Sequence, residues 1–149
     1  MIVLSLQEMN QWLLANGFDP SDLNQRGSNG DTAMMKATQA GEINIVRSLI
    51  DAGAELNIKN NDGNNALWFA CFRDRFDLID LLVEADIDIN NQNDNGATAL
   101  MYAASAGKTA IVKALLAAGA NSQLKNLDDF QAVDFAANLE ILRILKNAA

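Results

Sequence analysis

Three stretches of this chain carry residue types that perform chemistry in other proteins. Ser105-Ala106-Gly107-Lys108-Thr109 ends in the Gly-Lys-Thr of a phosphate loop. That loop also requires a glycine five positions before Gly107, and Tyr102 stands there. Asn91-Gln92-Asn93-Asp94-Asn95-Gly96 offers oxygen ligands in the order of a calcium loop, but its first position is Asn91 where Asp belongs. Its twelfth position is Tyr102 where a bidentate Glu should close the coordination. Cys71 is the sole thiol, and a nucleophilic cysteine needs a neighbouring base. The chain has no histidine, which removes the commonest general base and the commonest metal ligand together. No catalytic, cofactor-binding or metal-ligating residue is assigned, and no enzyme is expected.

The overall charge narrows the partners. Eleven Lys and Arg against 19 Asp and Glu leave a net charge of −8. Phosphate binding draws on clustered cations, so nucleic acid is not expected, nor is an anionic membrane surface. Half of the 149 residues are apolar, enough for a packed core in a single domain. One cysteine allows no internal disulfide and fits a reducing compartment. Met1–Leu4 lacks the cationic start of a secretory signal, and no apolar run is long enough for a membrane span. A cytoplasmic monomer is expected.

What positions these residues is a period. Gly30-Asp31-Thr32-Ala33-Met34 recurs as Gly63-Asn64-Asn65-Ala66-Leu67 and as Gly96-Ala97-Thr98-Ala99-Leu100, each 33 residues on. A degraded copy, Asp129-Phe130-Gln131-Ala132-Val133, follows at the same step. Each copy has a small residue seven positions later (Ala37, Ala70, Ala103, Ala136) and the full units add an apolar pair: Leu49-Ile50, Leu81-Leu82, Leu115-Leu116. A fixed period of this length means stacked supersecondary units.

Each unit reads as two helices. Its leading glycine, preceded by Asn29 or Asn95 in two copies, suits a tight turn with positive φ. Thr32, Asn65 and Thr98 suit a helix N-terminus. A short Ala-rich helix follows and stops at Gly41 or Gly107. A second helix carries Ile45-Val46-Leu49-Ile50, or Ile111-Val112-Leu115-Leu116, as one apolar stripe, and Gly53 or Gly119 supplies its left-handed stop. In the middle unit Asp74 and Asp86 replace both of those glycines, at a cost in backbone strain.

These residues resemble the ankyrin repeat family, whose motif runs Gly-x-Thr-Pro-Leu-His-x-Ala, then Gly, Ile-Val, Leu-Leu and Gly-Ala. Gly30–Ala37 and Gly96–Ala103 match it, as do Ala52-Gly53-Ala54 and Ala118-Gly119-Ala120. The resemblance implies an all-α solenoid of helix-turn-helix units with short β-turn or hairpin connections. The expected division is an N-terminal capping half repeat (1–27), full repeats at 28–60, 61–93 and 94–126, and a shortened C-terminal capping repeat (127–149). The family proline is Ala at 33, 66, 99 and 132, and the family histidine is Met35, Trp68, Met101 and Asp134. Apolar packing is expected to replace the hydrogen bonds of that histidine.

The ends are read as caps. Ser5-Leu6-Gln7-Glu8 is a capping box, and Leu4 with Met9 has hydrophobic-staple spacing, which predicts a helix over about 6–15 stopping at Gly17. Leu13-Leu14 then aligns with Leu49-Ile50. At the other end Phe135-Ala136-Ala137 runs nearly straight into Leu139-Glu140-Ile141-Leu142, which predicts a shortened connection between the last two helices.

The resemblance implies that a partner polypeptide binds on the concave face, through turn tips and the exposed stripe of the first helices. The tips are Ser28, Asn29, Asp31; Asn61, Asp62, Asn64; and Asp94, Asn95, Ala97. The stripes are Lys36, Gln39, Ala40; Phe69, Phe72, Arg73; and Tyr102, Ser105, Ala106. The middle stripe stands out because Leu67–Phe76 gathers four aromatics and two arginines, residue types that dominate binding hot spots. The proposed contacts are Phe69, Phe72, Arg73, Tyr102, Asn61, Asp62, Asn64, Asp94, Asn95, Lys36 and Gln39. Trp68, at the histidine position, is expected to pack between repeats, and Phe76 is expected in the core. Each Asp or Asn tip taken alone reads as a turn former ahead of a contact residue. The expected function is a non-catalytic protein–protein interaction module whose partner carries an apolar anchor with Lys or Arg. The alternative is an assembly or holding factor that transiently covers an amphipathic segment of another protein.

Overall fold

The computed structural model describes residues 6–148. Among them are eight α-helices and no strand. They are α1 (Leu6–Ala15), α2 (Ala33–Ala40), α3 (Ile43–Asp51), α4 (Ala66–Phe72), α5 (Phe76–Glu84), α6 (Ala99–Ser105), α7 (Thr109–Ala117) and α8 (Leu139–Asn147). Single 3-10 turns lie at Ser28–Gly30 and Ala132–Phe135. The chain forms two compact units, one running to Ile87 and the other from Asp88.

In the first unit α2 packs on α3 and α4 on α5, α2 meets α4, and both α1 and α5 lie against α3. In the second α6 packs on α7, α7 on α8, and the Ala132–Phe135 turn sits against α6 and α8. The first helices start where the sequence places their caps. Thr32 Oγ1 accepts from Met35 N (3.3 Å), Asn65 Oδ1 from Leu67 N (3.1 Å) and Thr98 Oγ1 from Met101 N (3.2 Å). Each bond satisfies an amide that the helix itself leaves unpaired. At the histidine-equivalent positions Met35 and Met101 are buried.

The second helices bury one stripe each: Ile45, Val46 and Leu49; Leu78, Ile79 and Leu82; Ile111, Val112 and Leu115. Each such side chain contributes about 1.5–3 kcal/mol on leaving water. The stripe of α5 is centred on Leu82, so Leu81 is only half-buried and the expected Leu81-Leu82 pair is out of register. Phe76 corrects the expectation of a core residue, because it is 43% exposed. It opens α5 two positions before Leu78, about 200° around the helix from it.

Asp74 (φ 56°) and Asp86 (φ 69°) take the left-handed backbone that Gly41 and Gly53 hold in the preceding hairpin. Arg75 lies between them and ties two hairpins together. Its Nη1 donates to Gly41 O (3.1 Å), while Nε and Nη2 donate to the Asp77 carboxylate at 2.9 and 2.8 Å. That guanidinium holds the Asp77 carboxyl below the usual carboxylate range.

The turns have a second device. Asn60 Oδ1 accepts from Asp62 N and Asn64 N, Asn93 Oδ1 from Asn95 N and Ala97 N, and Asn126 Oδ1 from Asp128 N and Phe130 N, all at 2.9–3.1 Å. Successive turns within each unit also touch through backbone, Asn61 N to Asn29 O (2.9 Å) and Leu127 N to Asn95 O (3.1 Å).

At the N-terminal end α1 spans Leu6–Ala15 and Gly17 follows with φ 82°. Ser5 of the capping box and Leu4 of the staple lie outside the described residues. Leu13 is buried as the alignment with Leu49 requires, but Leu14 is exposed where Ile50 is half-buried. At the C-terminal end the first helix of the hairpin is reduced to the 3-10 turn, after which Asn138 Oδ1 caps α8 by accepting from Ile141 N (2.9 Å).

Candidate functional site

The face of α4 that the core does not use creates the site. Leu67, Ala70 and Cys71 fill one side of the helix at i, i+3 and i+4 and are buried. That register turns Phe72 outward, 59% exposed, with Arg73 exposed beside it and Trp68 and Phe69 half-buried. With the half-buried Trp68 and Phe69, the open Phe72 ring makes a contiguous aromatic surface rather than a single exposed side chain.

These four residues form one wall of a cleft of about 500 Å³. The turn tips supply the other wall, with Asn29, Asp31, Asp62 and Asn64, and Gln39 of α2 completes it. The tips are held by side-chain hydrogen bonds. Asp31 accepts from Asn60 Nδ2 at Oδ1 and from Gln39 Nε2 at Oδ2, both at 2.9 Å. Asn29 Nδ2 donates to Asp62 Oδ2 across successive turns (3.1 Å). Asn64 is 8% exposed, and its backbone N–H and C=O are both bonded to Asn60. Its side-chain Oδ1 is buried and has no hydrogen-bond partner among the described residues. A buried acceptor left in that state is costly, on the order of 1–3 kcal/mol.

Of the contacts expected from sequence, Gln39, Asp62, Asn64, Phe69, Phe72 and Arg73 therefore meet in one cleft. Asn61 is turned to another task, since its Oδ1 accepts from Arg26 Nη2 (3.1 Å). Lys36 is exposed on α2 and does not line the cleft. Asp94, Asn95 and Tyr102 belong to the second unit. There Asp94 and Asn95 are exposed at the turn tip, and Tyr102 is half-buried with Lys108 Nζ 5.2 Å from its ring centre. Trp68, expected between repeats, also lines the cleft. The turn-holding trio Asn60, Asn93 and Asn126 went unassigned in the sequence, although its spacing of one period was a usable signal. Cys71 is buried within α4, and Lys108 directly precedes α7 as its cap residue. Among the described residues no three His, Cys, Asp or Glu side chains are placed to hold a metal ion.

Comparison with known proteins agrees with this architecture. The family model described as "Ankyrin repeats (3 copies)" matches residues 2–93 and 86–149. The chain belongs to the ankyrin repeat family. Among solved structures it is similar to the ankyrin repeat domain of Bcl-3, described as a unique member of the IkappaB protein family, at 26% identity and a TM-score of 0.81. That similarity covers 89% of this chain and 60% of the Bcl-3 chain, so this chain spans less than two thirds of its relative. No curated protein matches. Ankyrin repeats are generally non-catalytic modules that bind other proteins.

Proposed function

We propose that this chain is a non-catalytic adaptor that binds a partner polypeptide through its turn tips and first-helix residues. Phe69, Phe72 and Arg73 anchor the partner in the first unit, and Tyr102 takes the equivalent helix position in the second. The observation that carries this reading is the open Phe72 ring at the mouth of a cleft walled by carboxylates and amides. Aromatic and arginine side chains concentrate binding energy, at about 2 kcal/mol or more each. Exposed acidic and amide tips, Asp62, Asp94 and Asn95 among them, favour a partner segment bearing Lys or Arg around an apolar residue. A reducing compartment such as the cytoplasm suits a chain with a single cysteine.

The test is co-purification from the native cell extract with wild-type protein, with Phe72→Ala and with Tyr102→Ala. Each variant is expected to recover on the order of tenfold less of the captured protein, with unchanged helical circular dichroism. Undiminished recovery would reject the site. Weak and sequence-tolerant binding across a peptide array would instead identify a holding factor.

A further inference from the structure

The cleft of the first unit contains a group that the fold does not satisfy. Asn64 Oδ1 is a buried carbonyl oxygen without a donor, in a residue that lines the cleft. None of the neighbouring polar side chains donates to it. Gln39 Nε2 and Asn29 Nδ2 donate instead to Asp31 and Asp62. The carboxylates themselves are acceptors, so the cleft offers Asn64, Asp31 and Asp62 to an incoming donor against the single guanidinium of Arg73. The other wall is the three aromatic rings of Trp68, Phe69 and Phe72.

We infer that the cleft is a subsite for an arginine side chain of the partner polypeptide, its guanidinium lying along the aromatic wall and donating to a tip carboxylate and, once the Asn64 amide turns toward the cleft, to Asn64 Oδ1. This deepens the docking reading and rests on it. Arginine fits better than lysine for three physical reasons. A guanidinium is planar and stacks on aromatic faces. Its five donors fan out in a fork, so one edge reaches an amide oxygen while another meets a carboxylate. It is also more weakly hydrated than an ammonium group, and so sheds water more readily at a buried acceptor. The ring at position 72 then covers the apolar stem of the side chain.

The experiment titrates the 15N-labelled full chain with Nα-acetyl-L-arginine N-methylamide, and with the matching lysine and citrulline derivatives. Citrulline keeps the planar shape and most N–H donors but loses the charge. The arginine probe is expected to give saturable shifts centred on the Asn64 side-chain amide and the Trp68 indole N–H. Its affinity should exceed that of either other probe at least fivefold. Asn64→Leu and Asp62→Asn should each weaken the arginine probe at least fivefold, and Asp62, exposed at a tip, keeps the test available should the buried Asn64 variant fail to fold. Equal affinity for lysine, shifts spread over the acidic surface without saturation, or an unaffected Asp62→Asn would overturn the subsite. If the probe fails while Phe72→Ala still releases a captured protein, this inference falls and the docking reading stands. Saturable arginine binding together with capture indifferent to Phe72 and Tyr102 would sustain the subsite and remove the docking reading.

Discussion

Gly96 and Gly119 share a left-handed backbone and differ in everything around it. Gly96 has φ 75°, and a Cβ built there would lie 2.8 Å from Leu127 N and 2.9 Å from Asn126 Cα. Those neighbours are backbone atoms of the next turn, locked by the Asn126 side chain, and cannot swing aside. Gly119 has φ 97°, and nothing lies within 4 Å of its missing side chain. Gly119→Ala therefore pays only for the backbone conformation, about 1–2 kcal/mol. Gly96→Ala adds a collision and should be the more damaging by at least about 1 kcal/mol. Urea denaturation of the two variants checks this, and equal midpoints would show that the turn yields. Asp74 and Asp86 take the same left-handed backbone with a side chain attached. They do so in the hairpin that also carries the aromatic cleft, at a cost in backbone strain.

At the scale of the element, the period announced nearly everything that positions the backbone. Caps at Thr32, Asn65 and Thr98, stops at Gly41 and Gly107, and the stripes of α3 and α7 follow from local chemistry that a sequence displays directly. The misjudged residues are those whose environment depends on register or on the absence of a neighbour. Phe76, expected in the core just before the second helix, is turned to solvent by its place two residues before the α5 stripe. Leu14, aligned with the half-buried Ile50, is exposed on α1. In the site, the spacing along α4 revealed Phe69, Phe72 and Arg73, whereas the unbonded Asn64 Oδ1 depends on how neighbouring side chains are oriented, which no spacing encodes. Since each hairpin is held by its own stripe, damage should stay local. Leu115 is fully buried in α7, and Leu115→Ala should cost about 2–5 kcal/mol. Hydrogen exchange is expected to show lost protection in α6 to α8 while α2 to α5 keep theirs, and uniform loss along the chain would contradict it.

For the whole molecule the net charge of −8 acts at a longer range than any contact. It steers a cationic segment toward the tips and lowers the return for an anionic one. Capture of the partner should therefore be sensitive to salt in its association rate. Raising sodium chloride from about 50 to about 500 mM is expected to slow association on the order of tenfold with little change in dissociation. Surface plasmon resonance separates the two rates, and a salt effect confined to dissociation would place the charges in the buried contact. The turn-holding asparagines have a consequence at this scale as well. Because Asn93 and Asn126 brace their loops from within, an exposed apex side chain such as Asp94 is relieved of structural duty. Such apex side chains can thus be exchanged like interchangeable bits in one handle, which lets such a protein acquire a new correspondent without having to learn to fold again.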